Sequence, residues 1–315
     1  MKTYQKIYLL LEERKDYISG EDLAQELGIS RTSVWKAIRQ LEMHGLVIEA
    51  ARNRGYKLLE GDLLLPELLE SKLGFPIYLK EDSDSTQLDA KNGIEKGNPS
   101  PALYLAPHQN KAKGRFGRPF YASKSGGIYM SLHLSPNQSF LEFKPYTILA
   151  AAALVKAIQN LTNLNVEIKW VNDIYLGRKK VAGILTEAIS SMENQTVTDV
   201  IIGVGINVFV DDFPKELRKG AGNLFDKKPP ITRNQLIAEI WSCFFKTSEE
   251  ELLALYKEKS LVVGQQVSFV ENQVEFKGLA VAVTDSGNLI VQLDSGKAKT
   301  ISSGEISLTS WSDSS

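Results

Sequence analysis

The chain has 315 residues, with 37 Lys and Arg against 38 Asp and Glu, a formal net charge of -1, 43% hydrophobic and 24% charged residues, a composition that excludes disordered and collagen-like classes. Its one cysteine, Cys243, excludes an internal disulfide and any metal centre built on several thiolates, and points to a reducing, cytoplasmic compartment. The longest unbroken apolar run, 148–155, has eight residues where a membrane span needs ~20, and the start Met1-Lys2-Thr3-Tyr4-Gln5 lacks a signal-peptide pattern, so no membrane association is expected.

Residues 1–60 form a unit of their own. Ile7, Leu10 and Leu11 recur at helical spacing, as do Leu23, Ala24 and Leu27. Gly28 breaks the second helix, Ser30 caps a third that carries Val34, Ile38 and Leu41 on one face, and Gly45 ends it. Val47, Ile48, Tyr56 and Leu58 predict two short strands around Asn53 and Gly55. The unit holds 10 basic and 9 acidic residues, but 28–58 holds six basic against two acidic, a net +4. Helix, turn, helix and charged hairpin make the winged helix-turn-helix pattern, whose second helix lies in the DNA major groove. Arg31 is suited to guanine edges or phosphate, Thr32 and Ser33 to the same partners more weakly, Lys36 and Arg39 to phosphate, and Arg52 and Arg54 to the backbone or minor groove. Trp35 is expected to pack against the domain. A protein-interaction domain with a solvated basic face is the alternative; the concentration of cations on the two docking elements favours DNA. A single such domain neutralises few phosphates, so a dimer on a palindrome is the usual solution.

Residues 63–69 predict a short linking helix with Pro66 near its start. From 76 to 255, strand candidates (77–79, 102–106, 128–134, 167–171, 180–188, 199–208) mix with an apolar helix over 146–160 and a helix or helix pair over 231–257, an α+β or mixed α/β pattern. Beyond Val262, short strands at 267–269, 276–284, 289–293 and 299–301 are punctuated by Gly278, Ser286-Gly287-Asn288 and Asp294-Ser295-Gly296, and a small β-barrel is expected there. A serine-rich tail occupies 310–315.

Several central segments carry chemistry. The loop 109–118 (Gln109-Asn110-Lys111-Ala112-Lys113-Gly114-Arg115-Phe116-Gly117-Arg118) holds four basic residues and two glycines, without P-loop or dinucleotide-fold spacing. Such a loop wraps a phosphate or carboxylate, or is simply a solvated basic loop. Lys169-Trp170-Val171-Asn172-Asp173-Ile174-Tyr175 puts a polar pair at a strand end, either an Asn-Asp turn or a place where Asp173 aligns a magnesium ion or basic partner and Asn172 orients a phosphate. Lysines open the buried strand at 179–187, and the glycines of Gly203-Val204-Gly205-Ile206-Asn207-Val208 let a flat or bulky group lie against the backbone. His44, His108 and His133 lack zinc-site spacing, His133 is expected to be structural, and Cys243 to be a buried core thiol.

Together with Asp84-Ser85-Thr86-Gln87, Ser125-Gly126-Gly127-Ile128-Tyr129 and Gly304-Glu305-Ile306-Ser307-Leu308, these segments make a chain that resembles, over essentially its whole length, the biotin protein ligases of the bifunctional type that also repress biotin synthesis. The resemblance implies an α+β multidomain fold: a winged helix-turn-helix DNA-binding domain over 1–62, a linker over 63–75, a central mixed α/β catalytic domain over 76–260 related to the class II synthetase-like biotin/lipoyl ligases, and an SH3-like β-barrel over 261–311. It implies activation of biotin by ATP and Mg²⁺ to biotinyl-5'-AMP, transfer to one lysine of a biotin carboxyl carrier protein, and adenylate-dependent homodimerisation on palindromic operator DNA. It places Ser85, Thr86, Gln109, Arg115 and Gly183 at biotin, Arg118, Asn172, Lys180 and Asn207 at the nucleotide, Asp173 at the metal, and makes Lys180 and Arg115 the catalytic cations. The chain departs from the family pattern at Ala112 and Lys113, where Gly and Arg are usual, and at Gln87 (Asn), Val171 (Pro) and Phe120 (Trp). A non-catalytic biotin-sensing transcription factor is the alternative, opposed by the presence of Arg115, Lys180, Asn172 and Asp173 together.

Overall fold

The structure, a computed structural model, describes residues 1–309, so the serine-rich tail and the last residues assigned to the C-terminal domain lie outside the described residues. The N-terminal unit consists of α1 (Thr3–Arg14), α2 (Gly20–Leu27), α3 (Arg31–Met43), β1 (Val47–Ala51) and β2 (Gly55–Glu60). Local chemistry builds the helix-turn-helix. The Ser19 hydroxyl accepts from Asp22 N at 3.0 Å, and the Ser30 hydroxyl from Ser33 N at 3.1 Å, capping α2 and α3. Between them Gly28 adopts φ +64° and donates its N–H to the carbonyls of Ala24 and Gln25. Ile7, Leu11, Leu23, Val34, Ile38 and Leu41 close a separate core. The wing is docked through Gly55, where a Cβ would lie 2.0 Å from the Ile18 carbonyl oxygen, so only glycine fits.

The segment joining this unit to the rest is strapped down. Arg233 donates from Nε to Asp62 Oδ1 at 2.5 Å and from Nη1 to the Gly127 carbonyl at 3.1 Å. Buried Asn234 accepts from Leu65 N at 2.9 Å and donates to the Leu63 carbonyl at 2.6 Å. Helix α4 (Pro66–Leu73) follows, with proline in its first turn as expected.

The central unit contains β3 (Ile77–Leu79), α5 (Thr86–Glu95), β4 (Ala102–Ala106), β5 (Gly127–Leu134), β6 (Gln138–Ser139), α6 (Tyr146–Leu161), β7 (Val166–Lys169), β8 (Asp173–Leu176), β9 (Lys179–Ser191), β10 (Thr196–Asn207), α7 (Arg233–Lys246) and α8 (Glu249–Glu258). Its sheet runs β3-β4-β5-β10-β9-β8-β7, with β6 on β10; only the β3–β4 pair is parallel. The pleat sorts side chains to two faces. Val200, Ile202, Val204 and Ile206 of β10 join the main core with the almost wholly buried α6, while Ile201 joins a second cluster with Ala90 of α5, Ala102 and Tyr104. Gly203 and Gly205 fall on that second face, which leaves an open floor beside α5. His133 is buried and 2.8 Å from Asp199, and Cys243 is buried in the core.

The C-terminal strands β11 (Gln266–Glu271), β12 (Val274–Val283), β13 (Leu289–Leu293), β14 (Ala298–Ile301) and β15 (Ile306–Leu308) do not form the expected SH3-like β-barrel. They form an open antiparallel sheet of order β14-β13-β12-β11-β15, whose end strands each have one neighbour and do not pair with each other. The reason is where the inner face goes. Val267, Phe269, Ala280, Leu289, Val291 and Ile306 merge into the main core of the central unit instead of into a private core. Trp170 Nε1 donates to the Gly287 carbonyl at 2.8 Å across that junction. Among the described residues no helix is long and apolar enough to cross a membrane.

Candidate active site and nucleic-acid interface

A cleft of about 420 Å³ opens on the α5 face of the central sheet, a volume suited to a small organic ligand. At one end Thr86, at the start of α5, donates its N–H to Gln109 Oε1 at 2.7 Å, and its hydroxyl lies 2.8 Å from the Ser131 hydroxyl. Ser85 precedes the helix and lines the same wall. The floor is β9 and β10. A Cβ on Gly205 would lie 2.5 Å from Phe120 Cζ, and one on Gly203 would lie 3.0 Å from the Gln87 amide. The flat group that the glycine strand admits is therefore the Phe120 ring.

At the other end the cations gather. Strands β8 and β9 pair Ile174 with Ala182 but Tyr175 with Lys180, so Val181 is the extra residue of a bulge. That bulge lets Lys180 share a face with Asp173 and Gly183, and Lys180 Nζ meets Asp173 Oδ1 at 2.7 Å. Gly183 supplies the space, since a Cβ there would be 3.2 Å from Lys180 Nζ. Arg115 Nη1 donates to Asn172 Oδ1 at 3.1 Å, and Asn172 Nδ2 is fixed by donating to the Ile184 carbonyl at 2.9 Å. The Trp170–Val171 peptide in this stretch is cis. Burial lowers the Arg115 pKa, opposed by Asp173 and Glu305, and the guanidinium remains a cation. Arg118 pairs with Glu305 at 2.6 Å, so the C-terminal sheet supplies part of the cleft wall.

The structure thus brings together Ser85, Thr86, Gln109, Arg115, Arg118, Asn172, Asp173, Lys180 and Gly183 around one cleft. It does not bring Asn207 there. That side chain is buried beyond the floor and donates to the Gly222 carbonyl at 3.1 Å, holding the loop after β10. The cleft also holds charged residues to which the sequence assigned no role, among them Lys169, whose pKa is lowered by burial, and Glu305. Alternation along β7 was the available signal for the lysine. Gln87, in place of the family's Asn, reaches past Gly203 to donate to Glu187 Oε2 at 2.8 Å.

On the N-terminal unit, Arg31, Lys36 and Arg52 have neither an ion-pair nor a hydrogen-bond partner among the described residues, which leaves them open to phosphate. Arg54 is 4.0 Å from Asp16 and stacks at 3.9 Å over the Tyr17 ring; Arg39 pairs with Glu42 at 2.9 Å. Ser33 has its hydroxyl 2.9 Å from that of Ser30, inside the α3 cap, while Thr32 is exposed on the outer face. Trp35 departs from expectation. It is 51% exposed and takes no part in the core.

A DNA-reading winged helix joined to a sheet with a cation-lined cleft is the arrangement that known proteins share with this chain. A helix-turn-helix domain profile matches residues 2–57, the biotin/lipoate A/B protein ligase family matches 81–207, and the biotin protein ligase C-terminal domain matches 262–309. The bifunctional ligase/repressor BirA of Bacillus subtilis is 32% identical, covering 96% of this chain and 97% of that protein, and that of Bacillus spizizenii is 33% identical over the same shares. The biotin protein ligase of Aquifex aeolicus, solved in complex with biotin and ATP, superposes with a TM-score of 0.61 at 26% identity, covering 74% of this chain and 97% of that one. The chain belongs to the family of bifunctional biotin ligase/repressors.

Proposed function

We propose that the chain activates biotin with ATP, transfers it to a lysine of a biotin carboxyl carrier protein, and represses biotin genes as an adenylate-dependent homodimer on palindromic operator DNA. In this reading residues 1–62 read DNA, 63–75 link, 76–260 carry the ligase chemistry and 261–311 are the C-terminal domain, whose Glu305, Ile306 and Ser307 line the cleft. The observation that carries it is the convergence of Arg115 and Lys180 on one side of the cleft with Ser85, Thr86 and Gln109 on the other.

The chemistry follows from that layout. A biotin carboxylate oxygen attacks the α-phosphorus of ATP, the bond to the β-phosphate oxygen breaks, and pyrophosphate leaves. Both reactants are anions, so cations must offset their repulsion and the charge that develops. Lys180, held by Asp173, and Arg115, held by Asn172, are fixed before the reaction and need no reorganisation. In the second step the carrier's lysine amine attacks the acyl carbon, an amide forms, AMP leaves and the amine gives up a proton. No enzyme nucleophile is required. Among the described residues no three carboxylates, histidines or cysteines cluster as a metal site. Mg²⁺ nevertheless fits, because it is commonly held by one or two carboxylates with substrate phosphates; Asp173 would hold it, and the ion would neutralise phosphate charge.

Biotin-dependent exchange of pyrophosphate into ATP tests the ligase reading, and absence of exchange in the wild-type chain would sink it. Protection of operator DNA with and without biotin plus ATP tests the repressor reading; a footprint indifferent to the two ligands would remove adenylate control.

A further inference from the structure

Helix α3 sorts its residues cleanly at 100° per residue. Val34, Ala37, Ile38 and Leu41 face the core, and the opposite arc carries Thr32, Trp35, Lys36, Arg39 and Met43. Trp35 sits at the edge of that outer arc, one turn inside the helix, with Arg31 one turn before it and Arg39 one turn after it. The Arg39 guanidinium lies 5.5 Å from its ring centroid and is held from the other side by Glu42. The half-exposed indole presents an apolar body on a face made mostly of polar and charged groups, able to cover an apolar group of a ligand. The surfaces that a recognition helix meets in the major groove are donors and acceptors with one apolar exception, the 5-methyl group of thymine. The N-terminal half of such a helix is the part that reaches base edges.

We propose that Trp35 reads a thymine through its 5-methyl group, with Arg39 acting as a positioning residue that fixes the ring instead of binding phosphate. This rests on the DNA-reading function of the domain and adds to it a residue and a base. Lys36, flanking Trp35 without a partner, is left as the phosphate contact of the same face.

The experiment uses the full-length chain with biotin and ATP. A preferred duplex is selected from a randomised pool, and each thymidine is then replaced in turn by deoxyuridine, which removes only the methyl group. Fluorescence anisotropy reads the affinity. Wild type should lose about fourfold at one thymine of each half-site, the worth of one methyl-sized apolar group. Trp35→Ala should bind the unmodified duplex more weakly and be indifferent to deoxyuridine at that position, whereas Trp35→Phe, which keeps a ring, should retain the penalty. An unchanged thermal melt of Trp35→Ala excludes a folding effect. Wild-type indifference to every deoxyuridine, or an unaltered penalty in Trp35→Ala, overturns the assignment. Failure to select any preferred duplex overturns the DNA reading itself, at a separate and earlier stage.

Discussion

Replacing Lys180 by alanine should cost at least a hundredfold in biotin-dependent ATP–pyrophosphate exchange. Two losses combine. The first is a fixed cation aimed at developing phosphate charge, and removal of one such group costs ~3 kcal/mol, or roughly a hundredfold. The second follows from the 2.7 Å pair with Asp173, whose carboxylate is only 24% exposed. Without Lys180 that carboxylate is left partly buried and unpaired, facing two incoming anions. The double variant Lys180→Ala with Asp173→Asn should be slower than the single variant, because it removes the carboxylate that would hold Mg²⁺ as well as the cation. Lys180→Arg does not restore the rate, since the planar guanidinium needs more room than the slot beside Gly183, where a Cβ would already stand 3.2 Å from Lys180 Nζ. Exchange in Lys180→Ala within about threefold of wild type would refute the assignment of the cation. A double variant faster than the single one would refute Asp173 as the carboxylate that holds the metal.

Three further outcomes can be measured on the purified chain. Burial raises the Asp199 carboxyl, but hydrogen bonds from His133, Ser135 and Thr198 outweigh it and hold the pKa below the ordinary value. A depressed carboxyl stabilises above its unfolded pKa and loses that stability as pH falls, so Asp199→Asn should lower the melting temperature at pH 7 by an amount that shrinks below pH ~4. Asn234→Ala breaks two buried hydrogen bonds to the linker, at Leu65 N and the Leu63 carbonyl, and should cost about 2–4 kcal/mol in urea unfolding, with a loss under 1 kcal/mol showing that the strap is not rigid. Burial and Glu239 push the Cys243 thiol up to about 11, so the folded chain should resist alkylation at pH 7.5 and Cys243→Ala should keep its exchange activity; rapid labelling would contradict the buried-thiol assignment.

How far the sequence could be read depended on whether a feature is local. The helix-turn-helix was legible because its caps and breaks, Ser30, Gly28 and Gly45, act within a few residues. The apolar period of 146–160 likewise gave α6 nearly to the residue, and 231–257 resolved into the helix pair α7 and α8. Order in the central sheet was not legible, since β10, besides its hairpin with β9, pairs with β5 from far earlier in the chain. The β8–β9 bulge that turns Lys180 toward Asp173 left no mark in composition. Trp35 was misplaced because size and apolarity suggested core, whereas its angular position between Val34 and the outer face decides otherwise. Asn207 was placed at the nucleotide by resemblance, and its buried bond to Gly222 is a tertiary fact that no motif carries.

The C-terminal sheet gives the same lesson in energetic form. Short alternating strands with turn residues report that one face is apolar; they do not report what covers it. A barrel covers that face by closing on itself, which requires the first and last strands to pair. Here the central unit supplies the cover, through the shared core and the bond from Trp170 to Gly287, so closure is not needed to keep Val267, Leu289 or Ile306 from water. Openness has a consequence at the cleft. Strand β15 pairs only with β11, and the residues at its start are free of a second partner strand. Glu305 accordingly meets Arg118, and Ile306 and Ser307 line the cavity. The same arrangement that leaves the sheet unclosed therefore completes the cleft wall beside Arg118.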